Sequence, residues 1–212
     1  MLKSYFTIKE TGSHEIIIQK SRFIGHVKRT ETEEEAQQFI QEIKKLHYNA
    51  THNCSAYMIG EHNQIQKAND DGEPSGTAGV PILEVLKKKD LKDTTVVVTR
   101  YFGGIKLGAG GLIRAYSKST SEAINHVGVV NRQLMKHVKA TVDYTLLGKL
   151  ENELRSSSFL LKHIDYLEKV SFHVYVEVDH VESFHKWLVD MTNGQVEFEE
   201  VEELYIETDV IS

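Results

Sequence analysis

The chain is predicted to be an α+β protein of two units, and three observations carry that prediction. Its 212 residues suffice for one large core or two small ones, and 40% apolar residues with only 2 prolines mark a packed globular chain. After about residue 135 the pattern reads β-α-β-β-α-β, which predicts a ferredoxin-like sheet with helices on one face. Charge also divides the chain: residues 1–99 carry 13 Lys/Arg against 14 Asp/Glu, residues 100–140 carry 7 against 1, and residues 141–212 carry 5 against 16. The overall charge of −6 excludes indiscriminate nucleic-acid binding, yet it conceals one strongly basic segment beside an acidic second unit.

The elements follow in order. "YFTIKE" and "EIIIQKSRFIGHVKR", rich in β-branched and aromatic residues and parted by the turn-prone "TGSH", read as strands. "TEEEAQQFIQEIKKLH" is a helix: Ala36, Phe39, Ile40, Ile43 and Leu46 share a face, and Thr32 with Glu35 forms a capping box. "NCSAYMIG" and "NQIQKAND" form a hairpin, and "DDGEPSGTAG" is a loop leading to the helix "VPILEVLKKK", whose Pro81 sits near its start. "TTVVVTRYF" is a buried strand, and "GLIRAYSKSTSEAINHV" is a helix beginning at Gly111. In the second unit "KHVKATVDY" is a strand and "TLLGKLENELRSS" a helix. "VSFHVYVEV" alternates as one arm of a hairpin, "HVESFHKWLVDMTNG" is a helix ended by Asn193-Gly194, and "QVEFEEVEELYIET" is the last strand.

Cys54 is the only cysteine, so no internal disulfide forms and a four-cysteine zinc site is excluded. The N-terminus lacks a signal-peptide core, and no apolar run approaches the roughly 18 residues of a membrane span, so a soluble, cytoplasmic protein without membrane contact is expected. "TRYFGGIKLGAGG", residues 99–111, lies between a strand and a helix and invites a phosphate-loop reading, because glycines let backbone amides approach an anion. The Walker spacing G-x-x-x-x-G-K-[ST] and the dinucleotide spacing G-x-G-x-x-G both fail, and tight packing or positive φ angles explain the glycines as well. Arg100, Lys106 and Arg114 flank the loop without local acids and favour an anionic partner.

"NDDGEPSGTAG" leaves three roles open for Asp70, Asp71 and Glu73: metal or acid–base chemistry, stabilisation of the next helix N-terminus, or bidentate support by Asp70 or Asp71 of Arg100 or Arg114. In "HYNATHNC", His47, His52 and Cys54 lack a fourth ligand at zinc spacing. As a nucleophile Cys54 would need a base, and His52 falls on its face of the strand. No metal, cofactor or catalytic residue is assigned, and the remaining histidines are scattered without a motif.

Three stretches together, "THNCSAY", "DDGEPSGTAGVPILEVL" and "VVVTRYFGGIKLGAGGLIRAYS", resemble the IMPACT family, whose bacterial members are the YigZ/YvyE-like proteins. The resemblance implies an IMPACT-type domain over 1–134, an α/β sandwich like the second domain of a small-subunit ribosomal protein with a left-handed β-α-β crossover. It further implies that 135–212 is a ferredoxin-like domain similar to the last domain of elongation factor G. Eukaryotic members regulate translation by competing for an activator of the kinase that acts on initiation factor two. The family motif falls on His52, Cys54, Asp70, Asp71, Gly72, Glu73, Pro74, Thr77, Gly79, Arg100, Tyr101, Gly103, Gly104, Gly108, Gly111, Arg114 and Tyr116, which are expected to share one surface.

The leading expectation is a non-enzymatic, translation-linked regulator that binds RNA, ribosome or a translation factor. Its surface would comprise Arg100, Tyr101, Gly103, Gly104, Lys106, Gly108, Gly110, Gly111, Arg114 and Tyr116, with Tyr101, Phe102 or Tyr116 stacking on bases if exposed; Phe102 is expected in the core. The alternative is an enzyme or sensor for a phosphate-bearing ligand, using the glycine loop and the Asp70, Asp71 and Glu73 cluster. The acidic C-terminal domain would contact a basic protein or shield the basic site.

Overall fold

The computed structural model describes residues 1–210; the end of the predicted second domain, Ile211 and Ser212, lies outside the described residues. The chain is α+β and divides into two compact units, Met1–Asn131 with the segment from Thr208 onward, and Arg132–Glu207.

In the first unit the expected long strand over residues 15–29 is two strands, β2 (Gly12–Ile18) and β3 (Ser21–Arg29), preceded by β1 (Ser4–Ile8). Gln19 and Lys20 make the turn with φ of 44° and 65°, the left-handed geometry that matches strand twist in a two-residue hairpin. Neither residue is a glycine or asparagine, so the turn left no compositional mark. Helix α1 (Glu33–Leu46) starts at the predicted cap: Thr32 Oγ1 accepts from Glu35 N (3.2 Å), while the Glu35 carboxylate reaches back to Glu31 N (2.8 Å), one residue beyond the usual box. β4 (His52–Ile59) and β5 (Ile65–Asn69) form the expected hairpin, and α2 (Gly79–Lys88), β6 (Thr94–Tyr101) and α3 (Gly108–Val127) complete the unit.

These strands order as β2-β3-β6-β4-β5 with antiparallel neighbours, so β3 and β4 run parallel on either side of β6 and α1 connects them. Central β6 is apolar on both faces because both are covered. Val96 and Val98 pack with Ile82, Leu86, Leu112 and Ala115 of α2 and α3, while Val97 packs with Phe39 and Ile43 of α1.

The second unit uses β7 (Val129–Val142), α4 (Leu147–Ser156), β8 (Leu160–Tyr166), β9 (Val170–Glu177), α5 (Val181–Thr192) and β10 (Glu197–Asp209). β7 begins at Val129 instead of Lys136, because the polar run Asn131-Arg132-Gln133 hides its alternation. β10 and β9 both pair with β7, and β8 pairs with β9. Within the unit's own strand sequence this is the 4-1-3-2 order of a ferredoxin-like sheet. One sheet face gives Val138, Ala140, Phe172 and Val174 to a core closed by Leu150, Leu154, Phe184 and Leu188 of the two helices. α5 ends as its sequence requires, with Asn193 at φ 51° and Gly194 N donating to the Val189 carbonyl at 2.8 Å.

Candidate functional site

Alternation along β4 and β6 decides which motif residues meet. His52 and Cys54 share a face with Val96, Val98 and Arg100, and the β5–α2 loop folds across that face. Asp70 organises the loop: its carboxylate accepts from Gly76 N (2.8 Å), Ala78 N (3.1 Å) and Gly79 N (2.8 Å), capping α2 from nine residues upstream of Gly79. Burial acts to raise the Asp70 carboxyl, and the three amides outweigh it, leaving it below the usual carboxylate range. Asp71 accepts from Lys44 Nζ (2.6 Å) and Asn53 N (2.6 Å), and its carbonyl fixes His52 by accepting Nδ1–H at 2.8 Å.

Glu73 turns inward. Oε1 accepts from Arg100 Nη1 (2.7 Å) and from the Tyr116 hydroxyl (2.8 Å), while Oε2 lies 3.8 Å from His52 Nε2. Arg100 is 5% exposed and Glu73 8% exposed, so this ion pair is interior, with the guanidinium also against the Phe23 and Phe102 rings. The buried Arg100 Nε–H has no hydrogen-bond partner among the described residues. Cys54 Sγ donates to the Asp70 carbonyl (3.0 Å) and lies 3.3 Å from the Tyr116 hydroxyl. Burial pushes its thiol up to about 12, which disfavours the thiolate although His52 shares its strand face. Thr77 Oγ1 closes the loop by donating to the Pro74 carbonyl at 2.6 Å.

Several expectations are thereby corrected. The support for Arg100 comes from Glu73, not from Asp70 or Asp71, and Arg114 meets neither aspartate. Tyr116 is fully buried and cannot stack on a base. Tyr101 points to the opposite sheet face, where its hydroxyl meets His47 Nδ1 (2.9 Å) and Asn49 Oδ1 (3.3 Å). Phe102, expected in the core, is 46% exposed because the strand ends one residue before it. Cys54 and Thr77 belong to the interior and not to a surface, and Glu73 reaches solvent only through the wall of a cleft. Helix α3 starts at Gly108 instead of Gly111, so part of the glycine run is its first turn.

Gly103 and Gly104, with Gly108 at the helix start, hold the bend. A Cβ at Gly103 would fall 2.1 Å from the Lys20 carbonyl, and Gly104 and Gly108 have φ of 85° and 70°. Two hydroxyls pin this loop, Ser21 from outside the motif stretches and Thr51 at the start of one: Ser21 Oγ accepts from Gly103 N (3.1 Å), and Thr51 Oγ1 from Phe102 N (3.0 Å). Between the two loops lies a cleft of about 390 Å³, with Glu73, Arg100 and His52 in its wall and Phe102, Lys106, Leu107 and Gly108 at its other side. Helix α3 opens beside it with Leu107 at the N-cap, no side-chain cap and no acid in its first turn.

Residues 19–124 match the Impact N-terminal domain, and residues 141–195 match a domain of unknown function, DUF1949. Over 207 residues the chain is 66% identical to the IMPACT family member YvyE of Bacillus subtilis (strain 168), covering 98% of this chain and 95% of that one. The chain belongs to the IMPACT family. The IMPACT family member YigZ of Escherichia coli (strain K12) is 32% identical over 188 residues, covering 88% of this IMPACT chain and 92% of the relative. A crystal structure described as that of a hypothetical protein matches 95% of this chain and 99% of its own at 29% identity, with a TM-score of 0.60.

In this IMPACT chain the motif carboxylates are engaged by backbone amides, lysine, arginine and tyrosine. Around the start of α3, the basic groups that face solvent without an ion pair among the described residues are Lys106, Arg114 and Lys118. Arg114 folds back along α3: a Cβ at Gly110 would lie 3.4 Å from its Nη1.

Proposed function

We propose that this chain is a non-enzymatic, translation-linked regulator that binds RNA phosphates, on the ribosome or a ribosomal factor complex, through the mouth of α3. One observation carries the reading: an uncapped helix N-terminus, bordered by exposed Lys106, Arg114 and Lys118, in a stretch without an acidic residue from Thr99 to Ser121. The unpaired N–H groups of the first turn and the guanidinium over Gly110 suit phosphate oxygens, and exposed Phe102 and Ile105 offer faces to unstacked bases. Arg100 and Tyr116 act behind this surface by fixing the cleft wall through Glu73.

The catalytic alternative would have to work without its carboxylates, because Asp70, Asp71 and Glu73 are each bound to protein donors. Ribosome co-sedimentation at low and high salt tests the proposal. The chain is expected to associate at low salt and dissociate as salt rises, and Lys106→Ala/Arg114→Ala to reduce association. No association in any condition, or an unchanged double variant, would sink it.

A further inference from the structure

The outer face of the second unit's sheet gathers histidines that are far apart in sequence. β7 contributes His137, β9 His173, and β8 His163 with Asp165. His173 stands at the centre. Its Nε2 lies 3.0 Å from Asp165 Oδ2, its Nδ1 lies 2.9 Å from His137 Nε2, and its ring stacks on His163 at 4.1 Å. His163 Nε2 is 3.7 Å from Asp165 Oδ1, and on the far side His137 Nδ1 is 3.6 Å from Glu202 Oε1 of β10. A bulge in β8 between Leu161 and His163 makes this face. It lets Leu161 and Ile164 both oppose core residues of β9, Val174 and Phe172, and leaves His163 opposite His173.

Proton placement along these rings is compatible with a bound cation. Asp165 as a carboxylate only accepts, so in the empty cluster His173 carries its proton on Nε2. A neutral His173 must then accept at Nδ1 from His137 Nε2–H. If His137 is neutral too, its buried Nδ1 is a lone pair facing the Glu202 carboxylate, with no hydrogen-bond partner among the described residues; a second proton on His137 or a shift of protons along the chain relieves this. A cation on His173 Nε2 removes the conflict. Each ring keeps one proton but moves it: His173 Nδ1–H donates to His137 Nε2, and His137 Nδ1–H points at Glu202.

We propose that His163, Asp165 and His173 form an open three-ligand site for a divalent transition-metal ion of the zinc class, with His137 and Glu202 as its outer hydrogen-bonded partners. The donor atoms lie within 4.8 Å of one another. Ligand bonds of about 2.0–2.1 Å in a tetrahedron place donors about 3.3 Å apart; His173 Nε2 lies 3.0 Å from Oδ2 of Asp165 and His163 Nε2 3.7 Å from Oδ1, and His163, half exposed, turns out of its stack on His173 so that both ring nitrogens face one ion. Two imidazoles and one carboxylate suit zinc, cobalt, nickel or copper ions and not magnesium or calcium. The His163 and Asp165 side chains are 44% and 47% exposed while that of His173 is 13%, so one ligand is rooted in the sheet and the coordination sphere stays open to water. The cationic neighbours are Lys162, over the Tyr175 ring, and Lys139, opposite His173 on β7; against them stands a segment carrying 16 Asp/Glu and 5 Lys/Arg.

The test is zinc titration by calorimetry on the untagged full chain at pH 7.5, repeated with cobalt and its visible absorption as the coordination readout. His163→Asn and Asp165→Asn, both at half-exposed positions, are expected to take up one equivalent less than the parent or to bind at least about 10-fold more weakly, with unchanged circular dichroism. Nitrogen-detected NMR of the imidazoles is expected to show the proton of His173 move from Nε2 to Nδ1 on zinc addition. Equal stoichiometry and affinity in the parent and both variants, or no uptake by the parent, overturns the site, whatever the outcome of ribosome binding.

Discussion

Glu73 in the first unit and Asp165 in the second are both carboxylates within reach of a histidine, yet they are treated in opposite ways. Glu73 is nearly inaccessible and accepts from Arg100 and Tyr116, with its donors locked by a folded loop. Asp165 is half exposed, and the histidine chain leading away from it ends on an unpartnered nitrogen. The contrast separates two uses of the same side chains. A cluster closed off from water with its carboxylates engaged fixes loop geometry, and one whose carboxylate and histidine stay half open to water is suited to receiving something from solvent.

The largest effect should come from splitting the buried pair. Glu73→Gln leaves the Arg100 charge buried without its counter-ion and is expected to cost about 3–5 kcal/mol in urea unfolding. Glu73→Met/Arg100→Met should recover more than half of that loss; equal costs for the single and double variants would break the account of this cluster as an ion pair. Next, Asp70→Ala strips three amides of their acceptor and should cost about 1–3 kcal/mol, read in the same transition.

His26 sharpens the comparison through pH. Burial, with a smaller contribution from His47, pushes it down to about 4 from an ordinary 6.5. A depressed histidine contributes stability that is fully present above pH 6.5 and is lost as pH falls toward 4, since the unfolded chain takes up the proton first. Between pH 7 and 5 the loss should be about 2 kcal/mol, and His26→Leu should remove that slope. An unaltered slope in the variant would move the acid sensitivity elsewhere. The smallest stability effect belongs to the surface: Lys106→Ala/Arg114→Ala should stay within about 0.5 kcal/mol. The salt dependence of its binding to single-stranded RNA should nevertheless flatten by about 0.7 in log–log slope for each phosphate that the variant no longer neutralises.

Much of the fold was legible because its signals are local. The Thr32 cap, the Asn193-Gly194 stop and the alternation of Val170, Phe172, Val174 and Val176 each lie within a few residues of what they specify. The Gln19-Lys20 turn was not legible, since its left-handed geometry is imposed by pairing of Ile18 with Ser21. At the site the motif residues do converge, but the partner of Arg100 is not readable from spacing, because a pairing across 27 residues leaves no periodic trace. The division of Arg100 from Tyr101 was readable in principle, since neighbours on a strand face opposite ways. His137, His163 and His173 carry no motif spacing at all; strand pairing alone brings them together.

The bulge in β8 also says something about chain length. In a regular strand every insertion shifts the phase of all that follows, so one extra residue would have turned His163 toward the core and Ile164 toward water. Lys162 is the residue absorbed there, and the strand resumes its original phase one position later. It is therefore the position in β8 at which a residue can be lost without turning the two faces of the sheet inside out.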